Sequence, residues 1–286
     1  MRGAPFLGGY LLLYAVALTA LVVREHFGLE EPLFVLAIFG GVFPMLAWAV
    51  TRRTQPLPVE APGTAGILVY LVVVALFIAR GLDFFPFQEP AQDLLKTAAK
   101  VVVLVVVPAV LFRTRLQIRW SRSDTAVTLV LGAVLIGFQI VLGSGLRRLA
   151  TVRLSTAEIV ITTVGALVWM AISAGLVEEY FFRAALQTRM ERASGSTLGG
   201  IVIAALLFGL IHAPGLYLRS GLTNENVGSH PSLLLAVGYS IVIVSPAGLF
   251  FGVLWSRTRN ILLLVVLHGV GDLIPNLANF ARNFHV

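Results

Sequence analysis

Runs of about twenty apolar residues, the length an α-helix needs to cross roughly 30 Å of hydrocarbon at 1.5 Å per residue, recur along the whole sequence. They fall near 5–23, 32–50, 64–80, 97–113, 125–143, 157–182, 198–213, 233–256 and 260–280. Inside a bilayer the backbone must satisfy its own hydrogen bonds, so only helices and closed barrels span it. Segments this long and continuously apolar are helices. The 286 residues are 58% hydrophobic and only 12% charged, unlike a water-soluble domain. The sequence therefore predicts an all-α fold, a polytopic integral membrane helix bundle of eight or nine transmembrane helices, lying in the cell (inner) membrane if the source is prokaryotic. Pro246 and Gly248 are expected to kink or break the run at 233–256.

Charge and cysteine content narrow the function classes. The net charge of +7 comes from short Lys and Arg clusters between apolar runs, which is how membrane-flanking loops look, so no nucleic-acid partner is expected. The absence of cysteine excludes disulfides, Fe–S clusters and thiol catalysis. Arg2 and the apolar run after it read as a first transmembrane helix rather than a signal peptide, because no small-x-small cleavage site follows. Counting Lys and Arg in alternate loops of a nine-helix arrangement gives 11 on one side and 8 on the other, which favours a cytoplasmic N-terminus. Lys100 reads as a snorkelling side chain one turn into its segment. His26, His230 and His285 read as solvated, and Asp83, Asp93 and Asp124 read as loop residues. Residues 1–150 carry no legible motif; residues 151–286 hold every candidate for chemistry.

Those candidates begin in AGLVEEYFFRAALQTRMER at 174–192, which places Glu178, Glu179 and Arg183 beside a long apolar helix. An ionisable side chain at membrane depth costs a few kcal/mol and usually faces a bundle interior with a partner. Glu179 and Arg183 are four apart, with the carboxylate N-terminal, the favourable order for an ion pair. Glu178 is rotated about 100° from Glu179 and is left for another role. His212 in FGLIH and His268 in HGVGD lie in two further apolar runs. Glu178 and His212 each lie 17 residues from Gly195, which puts them roughly 25 Å along antiparallel helices and at similar depth. His268, nine residues past Arg259, and Glu178, eleven before Arg189, are also at comparable depth. Three ionisable residues are thus expected to meet inside the membrane. Asp272 follows one turn after His268, and Phe208 precedes His212 by one turn.

In these elements the sequence resembles the CAAX prenyl protease and bacteriocin-processing family of intramembrane proteases, which includes Ras-converting enzymes and bacterial immunity proteins. EEYFFR matches its EExxxR motif, FGLIH its FxxxH motif, and HGVGD its last motif, usually HxxxN; GLFFGVLWSRTRNILLLVVLH is similar to the segment preceding that last motif. The resemblance covers residues 157–280. It implies glutamate-dependent endopeptidase activity on a peptide or membrane-protein substrate, lipidated or not, with Glu178 and His212 activating water. His268 with Asp272 would stabilise the oxyanion, and Glu179, Arg183 and Phe208 would support the site. No cofactor is implied. A carboxylate in an apolar setting is a usable base near neutral pH, and a low-dielectric cavity strengthens donors aimed at developing charge. Asp272 departs from the usual Asn: it donates a hydrogen bond only when neutral, the form desolvation favours, or else it orients His268 through a ring N–H.

Three rival readings use the same residues differently. Glu178, His212 and His268 also make a zinc ligand set for a metal-dependent intramembrane protease. An aspartyl protease, suggested by the literal GVGD at 269–272, needs a second aspartate sharing a proton, and the other three read as loop residues. A catalytically silent immunity protein or scaffold, or a proton-coupled carrier, would keep the same polar cluster without hydrolysis; a carrier should also show paired inverted repeats, and none is found.

Overall fold

A computed structural model describes residues 3–63, 66–81, 90–116, 118–218, 228 and 230–284. Arg2, Asp83, Arg219 and His285 lie outside these described residues. The principal helices are α1 (Ala4–Glu25), α2 (Glu30–Val50), α3 (Ile67–Ala79), α4 (Ala91–Phe112), α5 (Arg122–Leu142), the short α6 (Gly145–Leu149), α7 (Thr156–Ser194), α8 (Thr197–Leu218), α9 (Leu233–Thr258) and α10 (Ile261–Asn283). Eight of them are long and apolar enough to span a bilayer; α3 is a shorter apolar helix. Strand among the described residues is confined to a pair of two-residue segments, Val59–Glu60 and Arg115–Leu116. The chain is an all-α, integral multi-pass membrane protein, in line with the sequence expectation of eight or nine helices.

α4 begins at Ala91, six residues before its apolar run, so Lys100 lies nine residues in rather than one turn. Asp93 and Asp124 fall in the first turns of α4 and α5 rather than in loops. There an acidic side chain complements the helix dipole, and Asp124 closes a capping box with Ser121 (Ser121 N–H to Oδ2, 2.8 Å).

Three prolines share one feature in the long helices. Pro44, Pro108 and Pro246 each follow a π-helical stretch by two residues: Leu36–Val42 in α2, Val102–Val106 in α4 and Ser240–Val244 in α9. A proline has no N–H and its ring crowds the carbonyl four residues back, and the wider turn relieves that crowding without ending the helix. α9 therefore runs through Pro246 and Gly248 instead of breaking. α7 also has two π-helical stretches, Ala171–Leu176 and Glu179–Gln187. It contains no proline, so its π-turns have another origin.

Contacts divide the chain into two compact units, interleaved in sequence. One comprises Met1–Phe84, Pro108–Arg115 and Phe182–Arg259. Within it α8 lies on α9 through Gly248 and Gly252; a Cβ on either would meet Ala205 Cα at 2.7 Å or Ile201 Cγ2 at 2.9 Å, so only glycine permits this approach. Tyr10, Tyr14 and Leu21 of α1 complete its core with Val202 and Val242, and the Tyr10 hydroxyl hydrogen-bonds Ser245 Oγ at 2.9 Å. Arg189 and Arg257 secure helix ends: Arg189 Nη2 donates to the Phe112 carbonyl at 2.6 Å, and Arg257 Nη2 to the Arg52 carbonyl at 3.1 Å. Charges counted above as membrane-flanking thus also bind carbonyls that helix C-termini leave open.

The other unit comprises Phe85–Val107, Leu116–Phe181 and Asn260–Val286. Its centre is α10, which packs against α5, α6 and the first half of α7. Asn260 caps α10, its Oδ1 accepting from the Leu262 and Leu263 amides at 3.2 and 3.4 Å.

Candidate active site

Two close approaches bring α7 and α10 together around His268. A Cβ on Gly175 would lie 2.7 Å from the Val265 carbonyl oxygen and 3.3 Å from His268 Cβ, and one on Gly269 would lie 2.9–3.0 Å from the backbone and Cβ of Ala171. Absent side chains let the two backbones meet on either side of the imidazole. The α7 residues next to this contact are the acids: Glu178 sits in the short α-helical join between the two proline-free π-stretches, and Glu179 opens the second. π-turns inside α-helices are frequent at functional sites.

The result is an imidazole held among three carboxyl groups, all within one unit. His268 Nδ1 lies 2.7 Å from Glu179 Oε1, and its Nε2 lies 3.4 Å from Asp272 Oδ2 and 3.6 Å from Glu178 Oε2. Burial separates the acids by task. The Glu179 side chain is 0% exposed and that of His268 8%, whereas Glu178 and Asp272 keep 25% and 37% of theirs accessible. Glu179, a pure acceptor when ionised, accepts a hydrogen bond from Nδ1–H in a sealed contact and leaves Nε2 as the working nitrogen, with two accessible carboxyls beside it. A Cβ on Gly271 would meet nothing within 4 Å, so the α10 backbone beside Asp272 also borders free space.

Spacing alone assigns Glu179 to Arg183. The structure adds His268 as a partner of Glu179, a contact the sequence reading did not contain. A period of 3.6 is the wrong ruler for a stretch wound as a π-helix, and no motif signals which residue across a helix interface an acid will reach.

His212, Phe208 and Arg183 belong to the other unit. Pro214 interrupts α8 just beyond Ile211 and His212, which form a turn between the α-helical stretches Thr197–Leu210 and Ala213–Leu218. The His212 amide bonds back three residues to the Gly209 carbonyl at 3.0 Å. His212 Nδ1 lies 2.8 Å from the Phe208 carbonyl oxygen. A carbonyl only accepts, so Nδ1 carries the hydrogen and Nε2 of the neutral ring is free to accept one. The Phe208 ring is the hub of this group. The Arg183 guanidinium lies 4.9 Å over it, and the Phe182 and His212 rings meet it edge-on, each at 5.2 Å. The four-residue spacing of FGLIH places the ring and carbonyl of Phe208 under the imidazole it supports.

No group of three or more His, Cys, Asp or Glu side chains among the described residues is arranged to hold a metal ion. Residues 160–274 match the family model of the type II CAAX prenyl endopeptidase, Rce1-like. The chain carries a CAAX-protease domain. The matched interval contains all three motifs, from Glu178 to Asp272, and lies within the 151–286 half where the sequence concentrates its chemistry. No curated protein and no solved structure matches the chain. The CAAX-protease domain thus has its family's protease character at the coarse level, with a peptide as the kind of substrate and a membrane as its setting.

Proposed function

We propose that this chain is an intramembrane, glutamate-dependent endopeptidase that hydrolyses a peptide bond of a membrane-associated or lipidated substrate. Glu178 takes a proton from a water molecule while Nε2 of His212 accepts that water's second hydrogen and aims it. The water oxygen adds to the scissile carbonyl carbon. His268, its Nδ1–H held by Glu179, donates Nε2–H to the resulting oxyanion, and Asp272 supplies the neighbouring contact. As the tetrahedral adduct collapses, the proton on Glu178 passes to the leaving amine, so no group outside the site is consumed.

The observation that supports this most is the pair of accessible carboxyls beside His268 Nε2, at 3.6 and 3.4 Å, opposite a sealed carboxylate on Nδ1. A cluster built only for packing has no need to keep two of its acids accessible. The site of action at the substrate is a main-chain amide; the segment flanking it is embedded in or tethered to lipid, since the acids lie within spanning helices.

The test is hydrolysis in ¹⁸O-labelled water by protein purified in detergent, exhaustively chelated and reconstituted in liposomes. A panel of prenylated C-terminal peptides and bacteriocin-leader peptides serves as substrate. One ¹⁸O in the new C-terminal carboxyl of a cleaved peptide is expected. Restoration of cleavage by Zn²⁺ alone would replace this mechanism with the metal-dependent one, and no cleavage across the panel would favour a silent scaffold.

A further inference from the structure

The amide of Gln139, on α5, reaches across the helix interface into the turn of α10 carrying Asp272, whose own carbonyl accepts from Asn276 Nδ2 at 2.9 Å. Gln139 is 6% exposed. Its Nε2 donates to the Leu135 carbonyl at 3.0 Å and to the Val270 carbonyl at 2.9 Å, and its Oε1 accepts from the Ile274 amide at 3.0 Å. Both amide hydrogens and the oxygen are used, which also fixes which end of the group is nitrogen.

A role in satisfying the backbone does not explain it. The Val270 carbonyl and the Ile274 amide are the i and i+4 partners that an α-helix pairs with each other; an apolar residue at 139 would leave them to do so. A buried amide at membrane depth carries a desolvation cost that an apolar side chain avoids. What the amide adds is a handle on the turn containing Gly271, Asp272 and Leu273. Pro275, directly after Ile274, has no N–H to return to the Gly271 carbonyl, which makes this the weakest turn of α10. The same turn is seated from two more sides, by Gly269 on Ala171 and by Gly145 of α6, whose absent Cβ lets it lie against the Ile274 carbonyl. The turn stays open at Gly271, where a Cβ would meet nothing within 4 Å, and at the Asp272 side chain.

We propose that Gln139 is a positioning residue: by gripping the Val270 carbonyl and the Ile274 amide it sets the angle at which Asp272 and Nε2 of His268 face the substrate carbonyl. The inference rests on the proposed roles of His268 and Asp272. Its test therefore includes a readout that needs no turnover.

The experiment compares wild type with Gln139→Met, of similar length but without donor or acceptor. It uses full-length protein in detergent, with kcat and KM normalised to folded enzyme and the His268 ring ¹⁵N signals recorded on ¹⁵N-histidine-labelled samples. Displacing a catalytic group by about 1 Å is worth about 100-fold in rate, so kcat is expected to fall by about that factor with KM within twofold, and the His268 ring signals are expected to shift below the melting temperature. A packing role would lower the melting temperature and leave both kcat per folded molecule and the ring signals in place, which would overturn the proposal. If Gln139→Met does not fold, Gln139→Asn, with the amide one methylene further back, takes its place with the same expectations. If wild type hydrolyses nothing, the proposed function fails and the ring signals alone decide: unchanged signals overturn the positioning role.

Discussion

Replacing Glu179 by Gln tests the contact on which the geometry of His268 depends. The side chain keeps its volume, so the tight α7–α10 approach through Gly175 and Gly269 is undisturbed. The change alters a 2.7 Å hydrogen bond whose acceptor is 0% exposed and so is not screened by water. A hydrogen bond to a charged group contributes about 1.5–3 kcal/mol. With a factor of ten in rate for every 1.36 kcal/mol, losing that much transition-state support lowers kcat by about 10- to 150-fold. KM should change little, because Glu179 is sealed from the substrate. The assay is steady-state cleavage of a liposome-anchored fluorogenic peptide, with turnover normalised to folded protein by thermal melting. Turnover within twofold of wild type in a well-folded Glu179→Gln protein would refute the assignment of Glu179 as the residue that holds His268.

Two further substitutions test neighbouring steps. Gly175→Ala drives a methyl into the Val265 carbonyl, 2.7 Å from where it would sit; overpacking of this kind costs about 1–3 kcal/mol. A lowered detergent melting temperature with a matching loss of activity is therefore expected, and an unchanged melting curve would show that α7 and α10 are not in contact there. Asp272→Asn should keep most of its activity, because Glu179 supplies the orienting contact at Nδ1 and the amide still donates from the Nε2 side. A fall by orders of magnitude in its rate across the pH range would make Asp272 the orienting carboxylate instead.

Much of the architecture was legible because membranes simplify the problem: hydrocarbon thickness sets helix length, and nine apolar runs became eight spanning helices with α3 as a shorter ninth. What the runs do not reveal is where polarity continues a helix. Residues 91–96 read as loop, yet they form the first turns of α4, whose acidic first turn and dipole suit each other. Pro246 reads as a kink or a break because the accommodating π-turn before it has no signature of its own. At the site, Glu178, His212, His268 and Asp272 stand out because ionisable groups are rare in apolar runs and carry the motif spacing. The bond from Glu179 to His268 was not legible. It depends on the winding of α7 and on two glycines, Gly175 and Gly269, whose importance lies in what they allow to approach. Gln139 is not legible for the same reason: a single amide in an apolar run carries no signal until its partners across the interface are known.

The most direct measurement is the cleavage rate of Glu178→Ala beside His212→Ala, each purified, reconstituted and shown to melt like wild type. General acid–base catalysis contributes about 10²- to 10⁴-fold, so each variant is expected to lose at least that much while still binding substrate. A well-folded Glu178→Ala protein that cleaves at the full wild-type rate would contradict the account.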